Sequence, residues 1–325
     1  MRRVNNFLNV QKKNVVVTGG AGFVASHLAD ELVERGAHVT VVDSLVDGYR
    51  ENVPAGAELI VADVRDTAAI DNVIASADLV FHHAAVASVP RASADPATAY
   101  DVNVSGTIAV LECIRRHNAT ARFLLASSAS VYGTTGEPYA FSEEDRTAPA
   151  SPYASSKLMA EVVALSYRRT YGIDARIVRY ANIFGPRQPR YIMFDFYGKI
   201  LRADDFLEIL GSGMQQRDFV YVSDAVNATI SVLTANLLDG CIFNVATGSA
   251  TSVVDLAGCM ASLMGKPGLK LVTTGKSWVG DIDYLLCAPT KLASLAWHAN
   301  IDLPTGVGRY IRWMNERGLR TLASG

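Results

Sequence analysis

Thr18-Gly19-Gly20-Ala21-Gly22-Phe23-Val24-Ala25 is the stretch on which the fold turns. It follows Asn14–Thr18, an apolar, β-branched run that reads as a strand. It opens Phe23–Arg35, whose apolar residues recur at helical spacing up to Gly36. His38–Asp43 is a second strand. The glycines satisfy G-x-G-x-x-G/A from Gly20 through Gly22 to Ala25, and equally the spacing Gly19, Gly22, Ala25. Glycines in such a turn let the backbone bend tightly and approach a pyrophosphate, whose charge then faces the amides that open the helix. Asp43 closes the second strand 18 residues after Ala25, where a carboxylate can accept from the adenosine ribose hydroxyls. The next residues, Ser44 and Leu45, carry no cation for a 2′-phosphate, so NAD is favoured over NADP.

Outward from this unit the same alternation continues. Strands are predicted at Leu59–Val61, Leu79–His82 and Phe123–Ser127, and helices at Thr67–Ala75 and Ala99–His117. Continuous apolar strands separated by helices imply a parallel sheet covered on both faces, a doubly wound α/β (Rossmann) architecture. A long helix runs from Ser151 to about Tyr171, and a strand follows at Ala175–Tyr180. The texture then changes at Gly185-Pro186-Arg187-Gln188-Pro189-Arg190, a loop of turn formers and cations. We therefore expect a cofactor-binding domain over 1–181 and a smaller, interrupted C-terminal substrate lobe over 182–325. Segments near Phe219–Tyr221 and Ile242–Val245 are expected to return to the sheet.

Composition narrows the class. Of 325 residues 50% are hydrophobic, and 30 Lys+Arg against 32 Asp+Glu leave a net charge of −2. No basic footprint exists for nucleic acid. No apolar run approaches the ~20 residues that span a bilayer. No signal peptide is visible, and the four cysteines are scattered, so a reduced, cytoplasmic, soluble protein is expected. His82 and His83 are adjacent on a strand and point to opposite faces, which argues against a metal site. Glu143-Glu144-Asp145 reads as a solvated loop, and Trp297 and Trp313 as core residues in helices. Lys12 and Lys13 read as solvated.

Ser151-Pro152-Tyr153-Ala154-Ser155-Ser156-Lys157 opens the long helix, with Ser151 as N-cap and Pro152 at its first position. Tyr153 and Lys157, spaced i, i+4, share one face. A phenol of pKa ~10 must come down by about 3 units, or ~4 kcal/mol, to act as a base near neutrality. A lysine ammonium and a positive nicotinamide ring would supply that field. The serine-rich strand end Ser127-Ser128-Ala129-Ser130 completes the constellation.

These residues resemble the extended short-chain dehydrogenase/reductases, in particular the NAD-dependent nucleotide-sugar epimerase/dehydratase family, and are most similar to UDP-glucose 4-epimerases. The likeness is carried by TGGAGFVASHL (18–28), VVDSL (41–45), ADV (62–64), HHAAVASVPRA (82–92), NVSGT (103–107), SSASVYG (127–133), SPYASSK (151–157), RYANIFGPRQ (179–188), RDFVYVSD (217–224) and GD (280–281). It implies Tyr153 as base, Lys157 as the group that lowers its pKa and holds the nicotinamide ribose, and Ser128 as a bridge to the sugar O4. It places Gly19, Gly22, Phe23, Val24, Asp43, Ser44, Asp63, Val64, Ala84, Asn103 and Tyr180 around NAD. It places Ser88, Val89, Arg91, Asn182, Arg217 and Asp281 near the sugar nucleotide. Arg187 and Arg190 read equally as anion ligands or as exposed cations.

The chain departs from the family pattern at Ala25, in place of the third glycine, and at Trp278, where an arginine usually grips the diphosphate; Lys276 is the nearby substitute. Family dehydratases carry Asp-Glu directly after the catalytic hydroxyl residue, and UDP-glucuronate decarboxylases a glutamate at the position of Ser130. Ala129-Ser130 stands there instead. The resemblance thus implies 4-epimerisation of a UDP-hexose through a 4-keto intermediate. A UDP-uronic acid or UDP-N-acetylhexosamine, a dehydratase or decarboxylase, and a non-catalytic NAD-binding protein are the alternatives. It also implies a homodimer through helices 99–116 and 153–171, with Ile108, Leu111, Val162 and Leu165 as contacts or, equally, as residues that face the sheet.

Overall fold

The computed structural model describes residues 8–236, 240–276 and 282–317. Along the chain run β1 (Asn14–Thr18), α1 (Phe23–Glu34), β2 (His38–Asp43), β3 (Ala57–Val61), α2 (Thr67–Ala75) and β4 (Leu79–His82). Next come α3 (Val89–Ala94), α4 (Pro96–Tyr100), α5 (Gly106–His117), β5 (Arg122–Ser128), β6 (Ala140–Phe141), α6 (Pro152–Tyr171), β7 (Ala175–Tyr180), β8 (Asn182–Phe184) and α7 (Tyr191–Arg202). The strand Ile242–Val245 joins β7, β5, β4, β1, β2 and β3, in that order, in a seven-stranded sheet. Every pairing in it is parallel.

Strand alternation builds two cores from one sheet. Val15 and Val17 face one way, onto Leu28 and Leu32 of α1. Val16 faces the other way, with Val80, onto Ile70 and Ile74 of α2 and Leu111 of α5. Side chains of period two therefore cover both faces, as the continuous apolar strands require.

Three expectations about elements are corrected. Phe219–Tyr221 does not return to the main sheet; it pairs with β8 in a separate two-stranded sheet. The edge of β7 is already taken by Ile242–Val245, so only the latter rejoins. The helix predicted over 99–117 is interrupted by a π-helical turn at Asp101–Ser105 between α4 and α5. Such wide turns break the regular ladder and free a side chain for other work; here it is Asn103. Trp297 lies outside any helix, half-buried, and its indole N–H donates to the Asp224 carbonyl at 3.2 Å. Trp313 does lie on a helix, Leu303–Glu316, packed against the core.

Glu143 is buried rather than solvated, and its carboxylate accepts from the Asn244 amide at 2.9 Å. Its neighbours Glu144 and Asp145 stay at the surface, one exposed and one partly so, which is why charge content alone misread the triplet. No helix among the described residues is long and apolar enough to cross a membrane.

Candidate active site

A cleft of about 920 Å³ opens at the carboxyl ends of the strands, where α/β sheets hold their ligands. Its floor is the glycine turn. Gly19 has φ +68°, and a Cβ there would fall 2.7 Å from the Ala84 backbone nitrogen, so only glycine fits between β1 and the end of β4. Gly22 caps α1 with no side-chain hydrogen bond, and no acidic residue sits in the first turn. The opening amides of a twelve-residue helix thus lack a side-chain acceptor where Phe23, Val24 and Ala25 line the cleft. Asp43 ties this turn to β2: one carboxylate oxygen accepts from Ala21 N–H at 3.0 Å, the other from Leu45 N–H at 2.8 Å. Ser44, Asp63, Val64 and Ala84 also line the cleft. Arg65 grips Asp63 at 2.6 Å, and this hydrogen bond holds the Asp63 carboxyl below the usual range.

A cradle that tolerates no Cβ, an uncapped helix start and a carboxylate at the end of β2 fit a dinucleotide. Gly19, Gly22, Phe23 and Val24 would hold its pyrophosphate, and Asp43 its ribose. When bound, NAD supplies a reversible hydride acceptor.

The opposite wall is made of side chains. Ser151 caps α6 by accepting from Ala154 N–H at 3.2 Å, and Pro152 takes the first position, as anticipated. Tyr153 and Lys157 follow on one face of α6, and both line the cleft with Ser128 from the end of β5. Lys157 is buried and donates to the Ala126 carbonyl at 2.9 Å. Ser128 Oγ accepts from Ser130 N–H at 3.2 Å and Ser130 Oγ at 2.9 Å.

In the protein alone, burial works against the expected base. Burial pushes the Tyr153 phenol up to about 12, opposed by the Ser128 hydroxyl. The same burial brings Lys157 down to about 8, with Glu161 pulling the other way. Solvent exclusion penalises phenolate and ammonium alike. His83 is also held neutral, at about 3, by burial first and by Lys157 second. Its Nε2 meets the Tyr180 hydroxyl at 3.1 Å, and that hydroxyl also pairs with Thr229 Oγ1 at 2.5 Å.

The remaining expected residues divide. Arg91, Asn182, Arg187, Arg217 and Tyr180 line the cleft. Arg187, however, adopts φ +67° and turns its guanidinium to α1, onto Asp30 at 2.7 Å and Ser26 at 3.1 Å. Arg217 donates to the Gln216 carbonyl at 2.9 Å. Two residues stand behind the wall instead of lining it. Ser88 caps α3 by accepting from Arg91 N–H. Asn103 is buried; its carbonyl oxygen accepts from Val86 N–H at 2.7 Å and its amide donates to Ser156 Oγ at 2.8 Å. Both residues shape the 84–91 loop, since a capped turn and a buried amide use up their polar atoms on the chain itself. Lys276 is exposed and does not line the cleft; Trp278 and Asp281 lie outside the described residues.

Sequence reasoning missed two groups. Asp47 bridges the mouth, paired with Arg91 and, at 3.2 Å, with Arg190. Glu161 continues the Tyr153/Lys157 row by one more i+4 step and was legible by that spacing. It is buried, accepts from Ser127 Oγ at 2.5 Å and binds Arg179 at 2.7 Å.

Residues 15–246 match the model of the NAD dependent epimerase/dehydratase family. The chain is similar to the UDP-glucose 4-epimerase of Mycolicibacterium smegmatis, 31% identical over 93% of this chain and 98% of that protein. It is equally similar to the dTDP-glucose 4,6-dehydratase of Streptomyces antibioticus, 31% identical over 93% and 92%. The solved structure of a Thermus thermophilus UDP-glucose 4-epimerase complexed with NAD superposes with a TM-score of 0.84 at 30% identity, covering 93% of this chain and 98% of that one. The glycine cradle, the Ser128/Tyr153/Lys157 wall and these likenesses together make the chain a member of the NAD-dependent epimerase/dehydratase family.

Proposed function

We propose that the protein is a 4-epimerase of a nucleotide-diphosphate sugar, with a UDP-hexose as the best-supported substrate. One observation carries the choice over dehydration or decarboxylation: every carboxylate lining the cleft among the described residues is already engaged. Asp43 holds two backbone amides, and Asp63 is paired with Arg65. Asp47 is paired with Arg91 and Arg190, and Asp195 with Lys199 at 3.0 Å. Next to Ser128 stand buried Ala129 and the hydroxyl of Ser130, neither able to relay a proton to carbon at neutral pH. The UDP-glucose 4-epimerases among its relatives support the same reading.

In this reading Tyr153 takes the proton from the sugar O4 and returns it after the 4-keto sugar has presented its other face. The single Ser128 hydroxyl proton is shared between O4 and the phenol oxygen, and Lys157 holds the cofactor ribose and adds positive charge beside the phenolate. Bound NAD would accept the C4 hydride and give it back, so the reaction would carry no net redox change. Product analysis by NMR over UDP-, dTDP-, GDP- and CDP-sugars tests this. Conversion of UDP-glucose to UDP-galactose supports the reading, and a 4-keto-6-deoxy or pentose product overturns it.

We also read α5 and α6 as a homodimer face. Ile108 is 38% and Val162 60% exposed, and Met159 beside them 48%. Leu111 and Leu165 serve the core instead. Light scattering giving the mass of one 34.9 kDa chain would exclude this.

A further inference from the structure

Ser130 lies two residues beyond Ser128, in the 3-10 turn Ala129–Tyr132 that Ser128 caps. A serine hydroxyl offers one proton and two acceptor lone pairs. Ser130 fills both lone pairs of Ser128, one with its backbone N–H and one with its own hydroxyl. Ser128 keeps only its proton to give, and Tyr153 lines the same cleft as the phenol on which it acts. We propose that Ser130 is a positioning residue, whose hydroxyl fixes Ser128 as a donor toward the Tyr153 phenol oxygen. The inference rests on the reading of Tyr153 as the base.

The direction of that bond matters chemically. A donor aimed at the phenol oxygen stabilises the phenolate, whereas an acceptor would stabilise the neutral phenol. Ser128 therefore opposes the burial that raises Tyr153. Tyr191, at the start of α7, acts in the raising direction, and Lys157 stands on the same helix face as Tyr153. Without the Ser130 hydroxyl, one lone pair of Ser128 is freed and its proton can turn away. The backbone half of the pair survives any substitution at 130, so capping of the 3-10 turn is retained and only the orienting hydroxyl is lost.

The test uses NAD-loaded protein carrying Ser130→Ala, Ser130→Thr, Ser128→Ala or Ser128→Ala/Ser130→Ala. Ionisation of Tyr153 is read by tyrosinate absorbance, each protein referenced to the same protein with Tyr153→Phe. Ser130→Ala should raise the Tyr153 pKa by about half to one pH unit, the weight of one hydrogen bond. Ser130→Thr should restore it, and the effect should vanish once Ser128 is alanine. An unchanged pKa in Ser130→Ala, or a shift that persists in the double variant, overturns the proposal. With UDP-glucose as substrate, the acid limb of kcat/KM should move to higher pH by the same amount, since the base must be deprotonated, while KM stays put. Failure to epimerise any sugar nucleotide would overturn the reaction, while the titration alone still decides the role of Ser130.

Discussion

The two walls of the cleft are built on different physics. The wall formed by β1 and α1 is backbone: a glycine at φ +68°, amides without a side-chain cap, and a carboxylate spent on two N–H groups. The wall formed by β5 and α6 is side chain: a phenol raised to about 12 and an ammonium lowered to about 8 by the same burial. Behind it a buried Glu161–Arg179 pair holds Ser127, next to Ser128. A backbone site is sensitive to added volume and indifferent to pH. A side-chain site is the reverse, and it carries an electrostatic cost into the folded state.

The largest expected effect falls on the side-chain wall. Tyr153→Phe changes one oxygen and no backbone, so NAD should be retained, while general-base catalysis worth ~10²–10⁴ is lost. Turnover within tenfold of wild type would remove Tyr153 as base and with it the contrast between the walls.

Gly19→Ala attacks the other wall with volume alone. A non-glycine residue in the left-handed region costs roughly 1–2 kcal/mol, and overpacking about 1–3 kcal/mol more. The new Cβ would meet Ala84 N at 2.7 Å and its Cα at 2.8 Å, both backbone atoms that cannot rotate away. The variant should fold with a lower Tm and purify depleted of NAD. Its residual activity should recover in excess NAD with the pH profile unchanged; a changed profile would show that the walls are coupled.

Lys157→Met gives the smallest effect and the most informative sign. The folded pKa of Lys157 lies below its unfolded value of ~10.4, at about 8. Between these values the unfolded chain binds more protons, so wild-type stability rises as pH climbs through that window. Below pH 8 the charged lysine costs stability. Methionine removes this cost and loses one hydrogen bond to Ala126, for a net gain of about 1–2 kcal/mol at pH 7. Thermal melts should show the variant more stable at pH 7, with the gap closing toward pH 10. A destabilised variant at pH 7 would mean that the Ala126 contact outweighs desolvation.

The cradle was legible in the sequence because its causes are local. Gly19, Gly22 and Asp43 act through φ, missing Cβ atoms and a strand end, all encoded within 25 residues. The parallel sheet followed from continuous apolar strands separated by helices, and the α6 start from Ser151 and Pro152. Tertiary structure alone decided what depends on distant partners. Asn103 and Ser88 could have lined the cleft, but they were turned to the 84–91 loop, since its free amides lay within their reach. Phe219–Tyr221 has the pattern of a core strand, yet Ile242–Val245 already occupied the edge of β7. The shifts of Tyr153 and Lys157 came from burial, and burial belongs to the packed chain. A sequence shows which groups can ionise; how much water the fold leaves around them sets where they do so.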